Sequence, residues 1–113
     1  MTLKQLLTTV LIILTALTIA CKSPALAADT TKGARIFSVH CAGCHPKGGN
    51  IVRRGKNLKK RAMRRNGMDS LEAISSLVAN GKNNMSAYKD RLSEKQIEDV
   101  AAYVLEQAEK NWR

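Results

Sequence analysis

Cys41-Ala42-Gly43-Cys44-His45 places two thiols three positions apart and an imidazole directly after the second. Thiols at that spacing can add to the two vinyl groups of one porphyrin, and the histidine offers a ring nitrogen to its iron, so the run predicts a covalently attached haem c. Other chemistry for these residues fails on spacing. A tetrahedral zinc ion needs four ligands from separated segments, but the nearest additional soft ligand is His40, and four ligands within six consecutive residues cannot surround the ion. A redox dithiol would need a preceding strand and a βαβ pattern, and the sequence offers neither.

The opposite face of the iron needs a second donor. Met85 lies about forty residues downstream of His45 and carries a thioether, a soft ligand that favours reduced iron and suits electron transfer. Met63 and Met68 compete by residue type, although the first falls in a basic helical stretch and the second in a turn.

Helical periodicity supplies the elements that position these groups. Ala34, Phe37 and Cys41 share one face of a helix over Thr31 to Cys41, which delivers the chain to the haem motif. Pro46 to Gly55 is a loop by its glycines, Pro46 and Asn50. Asn57 is expected to cap a short basic helix through Arg65, ending at Asn66-Gly67. Asp69 and Glu72 form an Asp-x-x-Glu box before a stripe of Leu71, Ile74, Leu77 and Val78, which ends at Asn80-Gly81. Ser93 and Gln96 open a last helix through about Lys110, with Ile97, Val100, Ala101, Val104 and Leu105 inward. Met85 then lies in the loop between the last two helices. No strand alternation, internal repeat or interdomain linker interrupts the pattern, so an all-α domain is expected.

The N-terminus reads as an export signal. Lys4 precedes an apolar run from Leu6 to Ala20, and Ala25-Leu26-Ala27 is a small-residue site of the kind cut by signal peptidase, so residues 1–27 are expected to be removed and residues 28–113 to form the single mature domain. A membrane anchor competes, but the run is shorter than the roughly 20 residues a span requires and contains four threonines. Lipidation of Cys21 also competes, with Thr18 standing where such signals usually have leucine. Covalent haem attachment in bacteria occurs outside the cytoplasm, which agrees with export. The mature 86 residues keep two cysteines, both in the haem motif, and only one Phe, two Tyr and one Trp. So short a chain buries a marginal core, and a porphyrin would enlarge it.

Charge narrows the partners. The mature chain has 17 basic and 9 acidic residues, a net charge of +8 before the haem propionates. Arg53, Arg54, Lys56, Lys59, Lys60, Arg61, Arg64 and Arg65 fall within thirteen residues that contain no acid. Nucleic acid is an improbable partner for an exported haem protein. A solvated surface is the plain reading of the run; the functional one is an acidic protein partner or an anionic membrane surface, with steering that weakens as salt rises.

The order of these motifs resembles the cytochrome c6 family, the small soluble class I cytochromes c of cyanobacterial and algal photosynthesis. The resemblance runs from Gly33-Ala34-Arg35-Ile36-Phe37 through Lys47-Gly48-Gly49-Asn50, Asn57-Leu58-Lys59-Lys60 and Asn66-Gly67-Met68-Asp69-Ser70-Leu71. It continues through Val78-Ala79-Asn80-Gly81-Lys82-Asn83-Asn84-Met85 to Ile97-Glu98-Asp99-Val100-Ala101-Ala102-Tyr103-Val104-Leu105. It implies a class I cytochrome c fold of about four helices around one haem, with Cys41 and Cys44 as thioether sites, His45 as proximal ligand and Met85 as distal ligand. It also implies that Gly33 and Phe37 meet the last helix near Tyr103, where glycine lets two backbones approach.

Three departures bear on the role. High-potential members have Gln where this chain has Leu77, and an apolar residue there implies a lower potential, because polarity and hydrogen bonding near a haem set its voltage. Met85-Ser86-Ala87-Tyr88-Lys89-Asp90 replaces a common Met-Pro-Ala-aromatic-Gly-Gly run, so the loop loses a proline and two glycines and Met85 is expected to bind less firmly. Arg91 keeps the place of a basic residue that contacts photosystem I, and is an expected partner contact beside Arg53, Arg54, Lys56, Lys59 and Lys60.

The function so implied is a monomeric, non-enzymatic carrier of single electrons in the thylakoid lumen or periplasm, from a cytochrome b/f-type complex to photosystem I or a terminal oxidase. The rival is a haem-based ligand sensor or peroxidatic protein with a labile Met85. No distal acid or base at a convincing spacing supports that rival.

Overall fold

The computed structural model describes residues 1–19 and 27–113. Helix α1, Leu3–Ile19, exposes Leu6, Leu7, Ile13 and Leu14. No helix among the described residues is long and apolar enough to cross a membrane. Cys21 and the Ala25-Leu26 part of the expected cleavage site lie outside the described residues.

Four further α-helices follow: α2 (Thr30–His40), α3 (Lys60–Arg65), α4 (Leu71–Asn80) and α5 (Glu94–Glu109), with 3₁₀ turns at Pro46–Gly48 and Arg54–Lys56. The all-α expectation holds among the described residues, where the single β feature is a bridge between Lys82 and Met85. Helix α2 starts at Asp29, whose carboxylate accepts from the Thr31 and Lys32 N–H groups at 3.0 and 3.1 Å, satisfying donors that a helix start leaves unpaired. The box opening α5 forms as expected: Ser93 Oγ accepts from the Gln96 N–H at 3.1 Å, and Gln96 Oε1 accepts from the Ser93 N–H at 2.9 Å.

Two expected caps sit elsewhere. Ser70, not Asp69, caps α4, its Oγ accepting from the Ala73 N–H at 3.1 Å. Asn57 does not cap α3, which begins after Lys59 with no side-chain cap. Its Oδ1 instead accepts from the Lys59 N–H at 3.0 Å and its Nδ2 donates to the Arg54 carbonyl at 2.7 Å. This is an Asx turn, in which a short polar side chain competes for the backbone one step before the helix.

Helix α5 is the centre of the core. Its Ile97, Val100, Ala101, Val104 and Ala108 are buried with Phe37 of α2, Met63 of α3, Ile74 and Val78 of α4, and Leu92. At the crossing with α2, a Cβ on Gly33 would lie 2.1 Å from the Asp99 carbonyl oxygen and 2.8 Å from Tyr103 Cβ. Only glycine fits there, and the crossing near Tyr103 is as the family resemblance implies. The Phe37 ring lies 5.4 Å from Tyr103 and 5.1 Å from Trp112, centroid to centroid. Trp112 closes this aromatic group from beyond the end of α5 and donates from Nε1 to the Leu58 carbonyl at 2.9 Å.

A second tie at the crossing is ionic. Asp99 is 2% exposed, and its Oδ1 accepts from the Asp29 N–H at 2.8 Å and from Lys95 Nζ at 2.6 Å. Burial pushes the carboxyl upward, but the Lys95 and Asp29 hydrogen bonds and the charges of Lys95 and Lys32 outweigh it and hold the carboxyl below its usual range. A carboxyl depressed on folding stabilises the native state fully above the ordinary aspartate value of about 3.9, and that contribution is lost as pH falls through the depressed value. In urea unfolding at a series of acidic pH values, Asp99→Asn should lower stability near neutrality and show a shallower loss below pH 4 than the parent chain.

Candidate functional site

Helix α2 hands the chain to the C-x-x-C-H turn. Cys41 is its C-cap, with its N–H bonded to the Phe37 carbonyl. The Cys44 and His45 N–H groups then both donate to the Cys41 carbonyl, at 3.1 and 2.9 Å, folding the five residues into one tight turn. Both thiols are free; Cys41 is half-buried and Cys44 exposed. Burial, reinforced by Cys44, pushes the Cys41 thiol up to about 11.

His45 is oriented from the side. Its Nδ1 lies 2.8 Å from the Gly49 carbonyl oxygen. A carbonyl can only accept, so Nδ1 carries a proton, and in the neutral ring Nε2 is the nitrogen that holds the lone pair. Such a hydrogen bond fixes the ring and raises the basicity of the free nitrogen toward a metal. The loop that supplies this carbonyl is itself organised by Asn50, whose Oδ1 accepts from the Val52 and Arg53 N–H groups at 3.0 and 2.8 Å while its Nδ2 donates to the Lys56 carbonyl at 3.1 Å. Its position after two glycines marked a loop, but not this role.

Met85 lies on the loop from α4 to α5. That loop begins at Gly81, with φ 68° and ψ 174°, a region essentially reserved for glycine. A Cβ there would also lie 2.6 Å from the Met85 carbonyl oxygen and 2.7 Å from the Ala87 nitrogen. Lys82 and Met85 exchange backbone hydrogen bonds of 3.0 Å, and the Tyr88 and Lys89 N–H groups donate to Val78 and Ala79 of α4 at 2.9 and 3.2 Å. Although the proline is missing, the backbone after Met85 is braced by these bonds.

Cys41, Ala42, Met68, Leu71, Met85 and Tyr88 are half-buried against the same core. Met63 is part of that core and 3% exposed, which commits it to packing. Leu77 is half-buried in the last turn of α4, its carbonyl accepting from the Gly81 N–H at 2.8 Å, so it stands on the turn that launches the Met85 loop. Arg91 does not extend freely: its guanidinium carbon lies 4.4 Å from the centroid of the Tyr88 ring. Arg53, Arg54, Lys56, Lys59 and Lys60 are all exposed. Among the described residues, Lys60 alone of these pairs with an acid, Glu109, at 2.8 Å.

The donor set fits a c-type haem: two thiols at the C-x-x-C spacing, an imidazole held through Nδ1 so that Nε2 is the nitrogen turned to other partners, and a thioether on a separate loop. Apolar surface fits as well, since Ile51 and Val52 are exposed next to Cys44, whose carbonyl accepts from the Ile51 N–H at 3.0 Å. A helical domain with this attachment turn is a class I c-type cytochrome.

Comparison with known proteins identifies the family. A family model described as cytochrome c oxidase, cbb3-type, subunit III matches residues 28–104. A cytochrome c6-like protein of Nostoc sp. (strain PCC 7120) is 64% identical over 98% of this chain and 96% of its own length. A cytochrome c6 of Synechococcus sp. (strain ATCC 27167 / PCC 6312) is 53% identical over 96% of this chain and 97% of its own. The crystal structure of cytochrome c6C from Synechococcus sp. PCC 7002 superposes with a TM-score of 0.68 at 63% identity, covering 70% of this chain and 96% of that one. The chain belongs to the cytochrome c6 family. It is an electron carrier, not an enzyme, with one covalently attached haem c.

Gly81→Ala should therefore destabilise the protein by about 2 kcal/mol or more, the sum of a forbidden backbone region and a backbone overlap. Urea unfolding reads the total. Amide exchange should rise most at Lys82 and Met85.

Proposed function

We propose that Cys41 and Cys44 form the two thioether links, that His45 Nε2 and Met85 Sδ are the axial donors, and that the mature chain shuttles single electrons from a cytochrome b/f-type complex to photosystem I or a terminal oxidase. The observation that carries the site assignment is the His45 Nδ1 contact with Gly49, which leaves one nitrogen available. When bound, the haem supplies an iron that passes between ferrous and ferric states. The chain's own residues do the rest: two cysteines anchor it, Gly49 fixes the histidine's tautomer, and the Gly81 turn returns Met85 to the core.

Residues 1–27 act in this reading as the export signal, leaving a monomer in the thylakoid lumen or periplasm. Leu77 offers no hydrogen bond where high-potential members carry an amide, and this lowers the potential. Holoprotein spectra and potentiometry test both assignments together. The ferric protein should show the methionine-to-iron charge-transfer band, Met85→Ala should abolish it and lower the potential, and Leu77→Gln should raise the potential with the band retained. For one electron, each 59 mV is a tenfold change in transfer equilibrium, so these shifts also bound the partners the protein can serve.

Arg53, Arg54, Lys56, Lys59 and Lys60 form the proposed docking ridge for an acidic partner, with Arg91 beside the Met85 loop as a second contact. Exposed charges steer encounter and are screened by salt. The second-order rate with an acidic acceptor should fall as ionic strength rises, and the slope should flatten in Arg53→Glu/Lys56→Glu. A slope unchanged in that variant assigns the ridge to solvation alone.

A further inference from the structure

We propose that Tyr88 is the clamp on the Met85 loop: its hydroxyl ties the loop to the residue before the attachment cysteines and so limits how often the Met85 thioether can leave. The proposal rests on reading Met85 as an axial donor.

The loop's tethers are one-sided without it. The Tyr88 and Lys89 N–H groups both bond back to α4, and the Lys82–Met85 pair is internal to the loop. The Tyr88 hydroxyl donates across to the His40 carbonyl at 3.0 Å. Among the described residues, this is the side-chain hydrogen bond that joins the loop to α2. His40 is the last residue of α2, and a carbonyl at a helix end has no partner within the helix, so the hydroxyl fills a natural vacancy in the backbone bonding.

The ring that carries this hydroxyl is held on several sides. The Arg91 guanidinium carbon lies 4.4 Å from its centroid, and the His40 ring meets it edge-on at 5.7 Å. The Arg91 and Leu92 N–H groups both donate to the Tyr88 carbonyl, at 2.9 and 2.8 Å, and Leu92 is buried in the core. Tyr88 thus joins the two backbone segments that carry the proposed haem donors: one bears Cys41, the other Met85. Lifting Met85 away requires the loop to move relative to α2, and that movement breaks the hydroxyl bond. Tyr88 is a positioning residue, acting through the loop rather than on the iron.

Tyr88→Phe removes the hydroxyl and keeps the ring. In the ferric holoprotein, imidazole binding at saturating imidazole reports loop opening. The variant should bind about three to five times faster, the size of one hydrogen bond net of water, with amide exchange at Met85 and Tyr88 rising by a similar factor. The charge-transfer band should persist, and exchange at Val100, deep in α5, should not change. An unchanged imidazole rate with the band intact overturns the clamp and leaves the axial assignment standing. A rise at Val100 equal to that at Tyr88 also overturns it, because the hydroxyl would then stabilise the whole fold. Absence of the band from the parent protein overturns the axial assignment, and the clamp with it.

Discussion

The contact between Gly33 and the Asp99 carbonyl leaves no room for a side chain between two helix backbones, and the site depends on that closeness. Cys41 lies eight residues past Gly33, a little over two helical turns, or about 12 Å of helix rise. An α-helix of that length transmits a displacement almost rigidly, so separating α2 from α5 at Gly33 would shift the attachment turn as a unit. Phe37, one turn along, fills the groove that the close approach creates, and Asp29 and Asp99 lock the same crossing at its N-terminal end. Hydrophobic packing supplies most of the attraction, while glycine sets the distance.

The second half of the site reaches the core by a different route. Helix α4 packs on α5 through Ile74 and Val78, then ends at a backbone conformation that only glycine accepts readily, and the chain folds back along the helix it has just left. Met85 is therefore placed by α4, and Cys41 and His45 by α2. Because both helices use α5 as their common support, one central helix registers the two halves against each other. This explains how so small a core, with few aromatic residues, can still hold donors from distant segments in a defined relation.

Local chemistry made the site legible from sequence, and tertiary chemistry hid its supports. The C-x-x-C-H turn, the Ser93–Gln96 box and the loop position of Met85 are decided within a few residues, so spacing alone reveals them. Capping was harder where two competent residues adjoin. Asp69 and Ser70 can both cap, and the register that buries Ile74 and Val78 selects Ser70. Asn57 is ambiguous by type, because its side chain serves a turn and a helix start equally well, and here the turn prevails. Trp112 and Tyr88 could not be read at all: their partners, Leu58 and His40, lie 54 and 48 residues away in sequence. The Gly33 crossing was legible only through family resemblance, since a lone helical glycine carries no signal of its partner.

The basic ridge has lighter structural obligations, the chief one being the bond from Lys56 Nζ to Asn66 Oδ1 at 2.8 Å. Arg53, Arg54, Lys56 and Lys59 are exposed, and Lys60 pairs with Glu109 where both side chains are largely in water. Surface pairs of that kind contribute about 0–1 kcal/mol, so the fold gains little from keeping so many cations in one stretch, and their mutual repulsion is a small cost. Arg91 differs, because it covers the ring of Tyr88 on the Met85 loop. Charge near the loop is therefore packed against one of its side chains, whereas most charge on the ridge faces water. If the ridge is the docking surface proposed above, encounter speed would be set there while the packing that holds the C-x-x-C-H turn and the Met85 loop stays unchanged.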